Sequence, residues 1–495
     1  MKAVRAKLSK IIKAPLKIAA KPAKAISKRV KARTDKFSFL DSLRSKEIRK
    51  KFLFTISIII VYRILAAVPL PGIDVKLFTQ IFGSNPLTNI FTLVTGGRLD
   101  SPSLVAIGVG AYINASIIIQ LLQTVIPKFE ELSKEGERGR NVLNQYTRIL
   151  AVPLSVIQAI VIYTILRNIG SRAPELSGIV ANITPLQVIT MVTALSAGSI
   201  VLMWLGELIT EYGIGNGISV IIMVSIITSL PSLISTDFQS IKLKEDFGLL
   251  LNGNLNVLVN QNFTLVYGII IGAFLLVLGV VYITEATRKL TIQYARRFRG
   301  AGVQNSFLPL KINQAGVIPV IFASALLTFP QIISQLLVSS ADTTSFLYKI
   351  GTHLSESFIG KSLATQTSQD TVYYYITYFV LIIAFTFFYT FVTYKPSETA
   401  DNLKKSGGFI PGLRPGKATE DYIVHVLMRL TFVGAIFLAL VALIPNLVRL
   451  SEAGRRLSIF SGIGGTSLLI IVGVILDTLR QTKSLTVTKS YDQYR

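Results

Sequence analysis

Residues that could carry covalent chemistry are few in this chain, and none falls into a working pattern. A zinc hydrolase needs two histidines one helical turn apart in HExxH, and a serine hydrolase raises its nucleophile on a GxSxG elbow. Neither spacing occurs. Cysteine is absent from the 495 residues, which removes disulfides, iron–sulfur clusters and thiolate zinc sites. His353 and His425 are the two histidines, far apart in sequence and on opposite expected sides of a membrane, so no metal site is expected. Gly360-Lys361-Ser362 has the ending of a phosphate-binding loop, but Ser355 stands where the earlier glycine belongs. Gly213-Ile214-Gly215-Asn216-Gly217 joins two apolar helices, not a strand to a helix, and reads as a tight turn. Arg63 is the main charge inside an apolar stretch, while Glu285 and Asp477 stand at stretch ends. Buried ionisable pairs for acid–base work or ion coupling are therefore missing. The chain is not expected to be an enzyme, and no cofactor is expected.

What the chain does have is apolar length. Ten stretches near the ~20 residues needed to cross a bilayer fall at 52–70, 104–127, 149–167, 186–206, 214–235, 265–284, 315–338, 372–394, 426–445 and 462–479. The first is apolar on every face except at Arg63, unlike the one-sided stripe of a soluble helix. Alternating ten-residue segments of the porin type are absent. The reading is an all-α membrane protein of ten transmembrane helices, with 51% hydrophobic residues overall.

Charge orients it. With the N-terminus inside, 38 of the 51 Lys and Arg fall on that side and 10 on the other. Basic loops stay cytoplasmic, so both termini are expected in the cytoplasm. Residues 1–34 hold no acid, and Asp35 is the first carboxylate. This basic extension, 1–36, suits an anionic leaflet, contact with ribosomal RNA, or, with its sparse serine less well, a transit peptide. No apolar central run makes it a secretory signal.

Other segments are suggestive without being decisive. After Pro69-Leu70-Pro71-Gly72-Ile73-Asp74, a weakly apolar stretch carries Gly83, Pro86, Gly96 and Gly97. It is too broken to span, so it reads as a re-entrant piece or as an external loop. Gly108 to Gln120 mixes small residues with Asn114, Ser116 and Gln120. Helix packing explains that mixture, and so does a movable or water-lining wall. Loops 286–314 and 395–424 combine basic, turn and apolar residues, as a docking surface for a large partner would.

Taken in order, seven segments resemble the SecY family, whose members form the central subunit of the bacterial or plastid protein-conducting channel. They are PLPGID (69–74), NASIIIQLL (114–122), KEGERGRNVLNQYTR (134–148), LITEYGIGNGIS (208–219), FLPLKINQAGVIPVIFAS (307–324), ADNLKKSGGFIPGLRPGKATEDY (400–422) and GGTSLLIIVGVILDTLRQ (464–481). The resemblance covers about residues 37–495 and implies two pseudo-symmetric inverted five-helix halves, 37–235 and 265–495, joined by an external linker at 236–264. Residues 77–103 would be a re-entrant plug, and the second and seventh spans a lateral gate to lipid.

The resemblance also implies roles. A pore ring would comprise Val109, Ile113, Ile218, Ile222, Ile321 and Ile470, an aliphatic gasket that shuts by dewetting. Gly110-Ala111 replace a Met-Pro pair common there in relatives. Gln120, Asn216 and Phe329 would belong to the lateral gate, and Arg297, Lys311 and Arg414 to a surface for the SecA ATPase or the ribosome. SecE and SecG would be the small membrane partners, and signal-bearing preproteins the cargo. The expected location is the cytoplasmic membrane, with a plastid thylakoid as the other possibility. Composition alone would favour a secondary transporter of small solutes, against which the missing buried carboxylates and the basic loops argue.

Overall fold

The structure is a computed structural model that describes residues 45–71, 103–172, 184–240, 261–294, 306–340, 346, 348–352, 368–450 and 465–492. Among these, each of the ten apolar stretches is occupied by one long helix. They are α1 (Lys46–Ala67), α2 (Gly110–Val125), α4 (Glu137–Arg172), α5 (Pro185–Tyr212), α6 (Gly217–Ser240), α7 (Gln261–Glu285), α8 (Ile318–Ser340), α9 (Ser368–Tyr394), α11 (Lys417–Leu450) and α12 (Gly465–Asp492). Two short helices, α3 (Pro127–Lys134) and α10 (Pro396–Lys405), lie between them. By length and apolarity, Glu137–Thr164, Pro185–Tyr212, Tyr374–Lys405 and Lys417–Ile444 suffice to cross a bilayer, and α2 with α3, bent by 101°, pass the same test only when taken together. Apolar parts of α6, α7 and α8 are shorter over the described residues.

Local chemistry sets the helix ends. Ser45 Oγ accepts from the Ile48 N–H at 3.4 Å to start α1, with Glu47 in the positive first turn. Thr184 and Gln187 form a reciprocal capping box at α5, with Pro185 at its first position. Pro127 drives Ile126 into an extended conformation (φ −103°, ψ 116°), which ends α2 and turns the chain into α3.

Several expected boundaries move. Residues 104–109 form turns, not helix, because Gly108 takes a left-handed φ of +66° and α2 starts only at Gly110. The charged segment 128–148 is largely helical, and α12 runs on well past 479. The plug segment 77–103, apart from Ser103, lies outside the described residues, as do the extension 1–36 and the linker residues 241–260. The described chain pairs between 68–69 and 103–104: Pro69 bridges Ser103, and the Leu104 N–H donates to Val68 O at 3.1 Å.

Side chains sort the helices into two cores. One gathers Ile58 and Tyr62 of α1, Val105 and Val109, Leu202, Leu205 and Ile209 of α5, and Ile221 of α6. The other draws on Val280 of α7, Val320 of α8, Ile382 of α9, Leu438 of α11 and Leu469 of α12. Outer faces stay apolar and uncovered, as with Ile64 (61% exposed) and Phe274 (62%). A soluble protein rarely shows so much; lipid is the solvent for these faces. The two groups meet along two seams, α8 against α2 and α4, and α6 against α12.

Loops 286–314 and 395–424 hold structure that the helical reading did not include. Strands β1 (Thr287–Tyr294), β2 (Ser306–Lys311) and β3 (Gly408–Phe409) form an antiparallel sheet in the order β2-β1-β3, with Leu290 opposite Leu308. Alternation sends Leu290, Ile292 and Leu310 to one face, where they pack on Leu403 of α10 and Ile423, Val426 and Leu427 of α11.

Glycine at 198 tests the first core. A Cβ there would lie 2.1 Å from Leu104 O, so the turn before α2 rests directly on α5. Gly198→Val is expected to destabilise the detergent-solubilised protein by ~1–3 kcal/mol, read as a lowered thermal midpoint. Gly272→Ala, with open space around it, should be neutral or stabilising by about 0.4–1 kcal/mol; equal losses at both sites would refute this packing.

Candidate functional site

The six aliphatic residues of the expected ring converge. Val109 is buried in the first core, with Ile113, Ile218 and Ile222 packed against that cluster. Ile470 is buried with Val220 and Val474, and Ile321 and Ile222 pack against that second group. Ile222 packs against both clusters and so links the group of Val109, Ile113 and Ile218 to that of Ile321 and Ile470. None of these side chains carries a hydrogen-bonding group.

Each is held by the local fold around it. Val109 is the residue before α2, and the Gly108 carbonyl beside it accepts from Ser199 Oγ of α5 at 3.0 Å. Gly110 is the first helical residue after this turn. Gly206 of α5 leaves room for Ile218, whose Cδ1 would lie 2.4 Å from any added Cβ. Ahead of Ile321, Asn313 Nδ2 donates to Gly316 O at 3.1 Å and closes the turn that leads into α8.

The Gly213–Gly217 turn is indeed tight, with φ +91° at Gly215, and three side chains from outside it hold its backbone. Ile214 N–H donates to Thr55 Oγ1 of α1 (3.1 Å), Gly217 N–H to Thr210 Oγ1 of α5 (2.9 Å), and Gly215 N–H to Gln481 Oε1 of α12. Sequence reasoning missed Thr55, Thr210 and Gln481. Their only signal was a polar residue at the edge of an apolar stretch.

The residues expected at the lateral gate lie on different elements. Gln120 lies on α2 and donates through Nε2 to Ser116 Oγ of its own helix at 3.0 Å. Phe329 lies on α8, the helix packed against α2 and α4. Asn216 Oδ1 accepts from the Ser219 N–H at 3.2 Å and so caps the start of α6. Arg148 of α4 pairs with Glu207 of α5 at 2.7 Å.

Of the docking residues, Arg414 is exposed on the turn between β3 and α11. Gly412 (φ +86°) and Gly416 (φ +109°) shape that turn, and Thr419 Oγ1 donates to Arg414 O at 2.9 Å. Lys311 ends β2 and is half-buried. Burial, then the neighbouring Arg480 charge, holds its ammonium below the usual lysine range, with Asp477 and Glu285 acting the other way. Arg297 lies outside the described residues, as do His353 and Gly360–Ser362. His425 is exposed on α11, and no cluster of three or more His, Asp or Glu suited to a metal occurs among the described residues.

Comparison with known proteins bears on this arrangement. A family profile described as SecY matches residues 103–479. The protein translocase subunit SecY of Mycobacterium bovis is 38% identical over 466 residues, which cover 92% of this chain and 99% of the relative. Those of Mycobacterium leprae and Streptomyces galbus are 37% and 38% identical over 467 residues, with the same coverage. Among solved structures, "The structure of a protein conducting channel" superposes with a TM-score of 0.60 at 20% identity, over 89% of this chain and 93% of that one. Sec61 in the canine ribosome-channel complex gives 0.57 at 20% identity with the same coverage. Identity that low speaks to the fold alone. With the profile spanning most of its length and translocase subunits matching it almost end to end, this chain belongs to the SecY family.

Proposed function

We infer that this chain is the membrane-embedded body of a protein-conducting channel, passing signal-bearing unfolded preproteins across a membrane and releasing apolar segments sideways into lipid. One observation carries the reading: in a member of the SecY family, six aliphatic side chains from both halves fall in two apolar clusters linked through Ile222. Such a neck excludes water and ions when closed, because an apolar constriction dewets. Its aliphatic side chains are held by no hydrogen bond and can part around any peptide, and no fixed donor prefers one side chain to another.

The chain is a channel subunit and not an enzyme; the driving chemistry belongs to a partner. That partner is SecA or the ribosome, docking on the β1–β3 sheet and the Arg414 turn, with SecE and SecG beside the bundle. The ten helices form two inverted halves, plugged by 77–103, with α2 and α8 as the lateral gate. The membrane is the cytoplasmic one, with both termini inside, as the charge bias supports. Each relative and solved structure named above is a translocase or protein-conducting channel, and none is a carrier of small solutes. Reconstituted with SecE and SecG, the chain should move preprotein only with SecA and ATP. Saturable solute uptake without SecA would overturn the reading.

The gasket can be tested at Ile470, which is 8% exposed. An amide left unpaired there costs roughly 1–3 kcal/mol, and water entering the neck would relieve it. Ile470→Asn is expected to raise ion leak across planar bilayers and to admit preproteins with defective signals. Wild-type conductance and selectivity in the folded variant would make Ile470 an ordinary packing residue.

Arg414 projects from a turn whose backbone does not need its side chain. Arg414→Glu should therefore leave the thermal midpoint unchanged while crippling SecA-driven transport, since losing one charge-assisted contact costs about 1.5–3 kcal/mol and reversal adds repulsion. Transport at the wild-type rate would remove Arg414 from the docking surface.

A further inference from the structure

The C-terminal part of α12 carries a cluster that the reading above does not use. Arg480 Nε and Nη2 donate to Glu285 Oε1 at 3.1 and 2.7 Å, Nη2 also to Thr284 O at 3.1 Å, and Nη1 to Asp477 Oδ1 at 3.0 Å. Thr284 and Glu285 are the last residues of α7. Lys311, at the end of β2, lies near enough to feel the charges of Arg480, Asp477 and Glu285. The Ile312 N–H donates to Ala286 O at 3.0 Å, tying that end of β2 to the end of α7. The residue after Arg480 is Gln481, which accepts from the Gly215 N–H, and Thr478 stands against Gly215. The sheet, the end of α7 and the α5–α6 turn of the other half thus converge on residues 477–481.

The same helix carries Ile470. Ile470, Val474, Thr478 and Gln481 recur every three or four positions and share one face, and Val474 packs in the cluster that buries Ile470. Ten residues separate Ile470 from Arg480, about 15 Å along the axis. The Arg480, Glu285 and Asp477 side chains are 30%, 52% and 68% exposed, and ion pairs that face solvent contribute little to stability. A planar guanidinium shared among three acceptors does, however, fix a direction that a lysine could not.

We propose that Arg480 is a positioning residue that ties the docking sheet and α7 to α12, so that a partner pressing on the sheet shifts α12 and moves Ile470 in the constriction. The proposal rests on the channel reading above. Coupling through α12 explains why four hydrogen bonds are spent where stability gains little, and why Gln481 meets the opposite half one residue further on.

Because the chain lacks cysteine, the tether can be cut and rebuilt. Arg480→Gln, and the pair Glu285→Cys with Arg480→Cys, would be reconstituted with SecE and SecG. Thermal midpoint, SecA binding, ATP hydrolysis and preprotein moved per ATP would then be measured. Both variants are expected to keep the midpoint and SecA binding, while transport per ATP falls about fivefold or more, the range of a typical coupling free energy. A short bis-maleimide joining the two cysteines should restore it. Unchanged transport would overturn the proposal, as would a parallel loss of SecA binding or of the midpoint, or a cross-linked protein that stays uncoupled. Failure of the channel reading itself would look different, since the wild-type complex would then move no preprotein with SecA and ATP.

Discussion

Hydrocarbon offers no partner to a peptide N–H or C=O, and that constraint shapes everything else in this molecule. The backbone at membrane depth must close its own hydrogen bonds, so the apolar stretches become helices whatever their side chains. Where the chain must turn near those helices, it needs donors and acceptors from neighbours. The turn from Gly213 to Gly217 shows how this is met. Thr55 Oγ1 donates to Lys51 O within its own helix and accepts from Ile214, while Thr210 Oγ1 does the same with Gly206 O and Gly217. Each hydroxyl satisfies two backbone groups, one in a helix and one in the turn. Gln481 supplies the third contact from the other half.

Between the halves the same scarcity of partners acts in reverse. Side chains that demand a hydrogen bond would need a fixed neighbour, and a fixed neighbour would hold the two groups of helices together. Aliphatic side chains demand none. Val109, Ile113, Ile218, Ile222, Ile321 and Ile470 pack in apolar clusters, and contact between methyl groups is non-directional. Such a seam can close repeatedly on the same geometry or open without leaving an orphaned donor. Tyr62 to Ser225 and Arg148 to Glu207 are polar links within the first group of helices, whereas Gly215 to Gln481 is one that crosses between the groups.

Outside the apolar layer, ordinary soluble-protein physics returns. The sheet β2-β1-β3 alternates buried and exposed residues and packs its apolar face on α10 and α11. This gives the loops a rigid platform, which places Arg414 on a shaped turn and Lys311 beside the Arg480 cluster.

The sequence by itself settled a great deal here. Apolar length located each of the ten long helices, because hydrophobic thickness and helical rise are general quantities that need no knowledge of neighbours. Seven ordered motifs were enough to suggest the family before any geometry was known. Helix ends were less legible: nothing local told that Gly108 would turn the chain and delay α2 to Gly110, since only the rest on Gly198 and the bond from Ser199 make that turn worthwhile. The strands were hidden as well, because short alternating runs in a charged loop become a sheet only against Leu403, Ile423 and Leu427. That Asn216 caps α6 is likewise visible only in the fold. Arg480 and Gln481 looked like an unremarkable helix end, and only the tertiary structure brought Glu285 and Gly215 to them. Periodicity and apolar length are properties of one segment, whereas ion pairs and turn locks need two segments at a distance that packing alone decides.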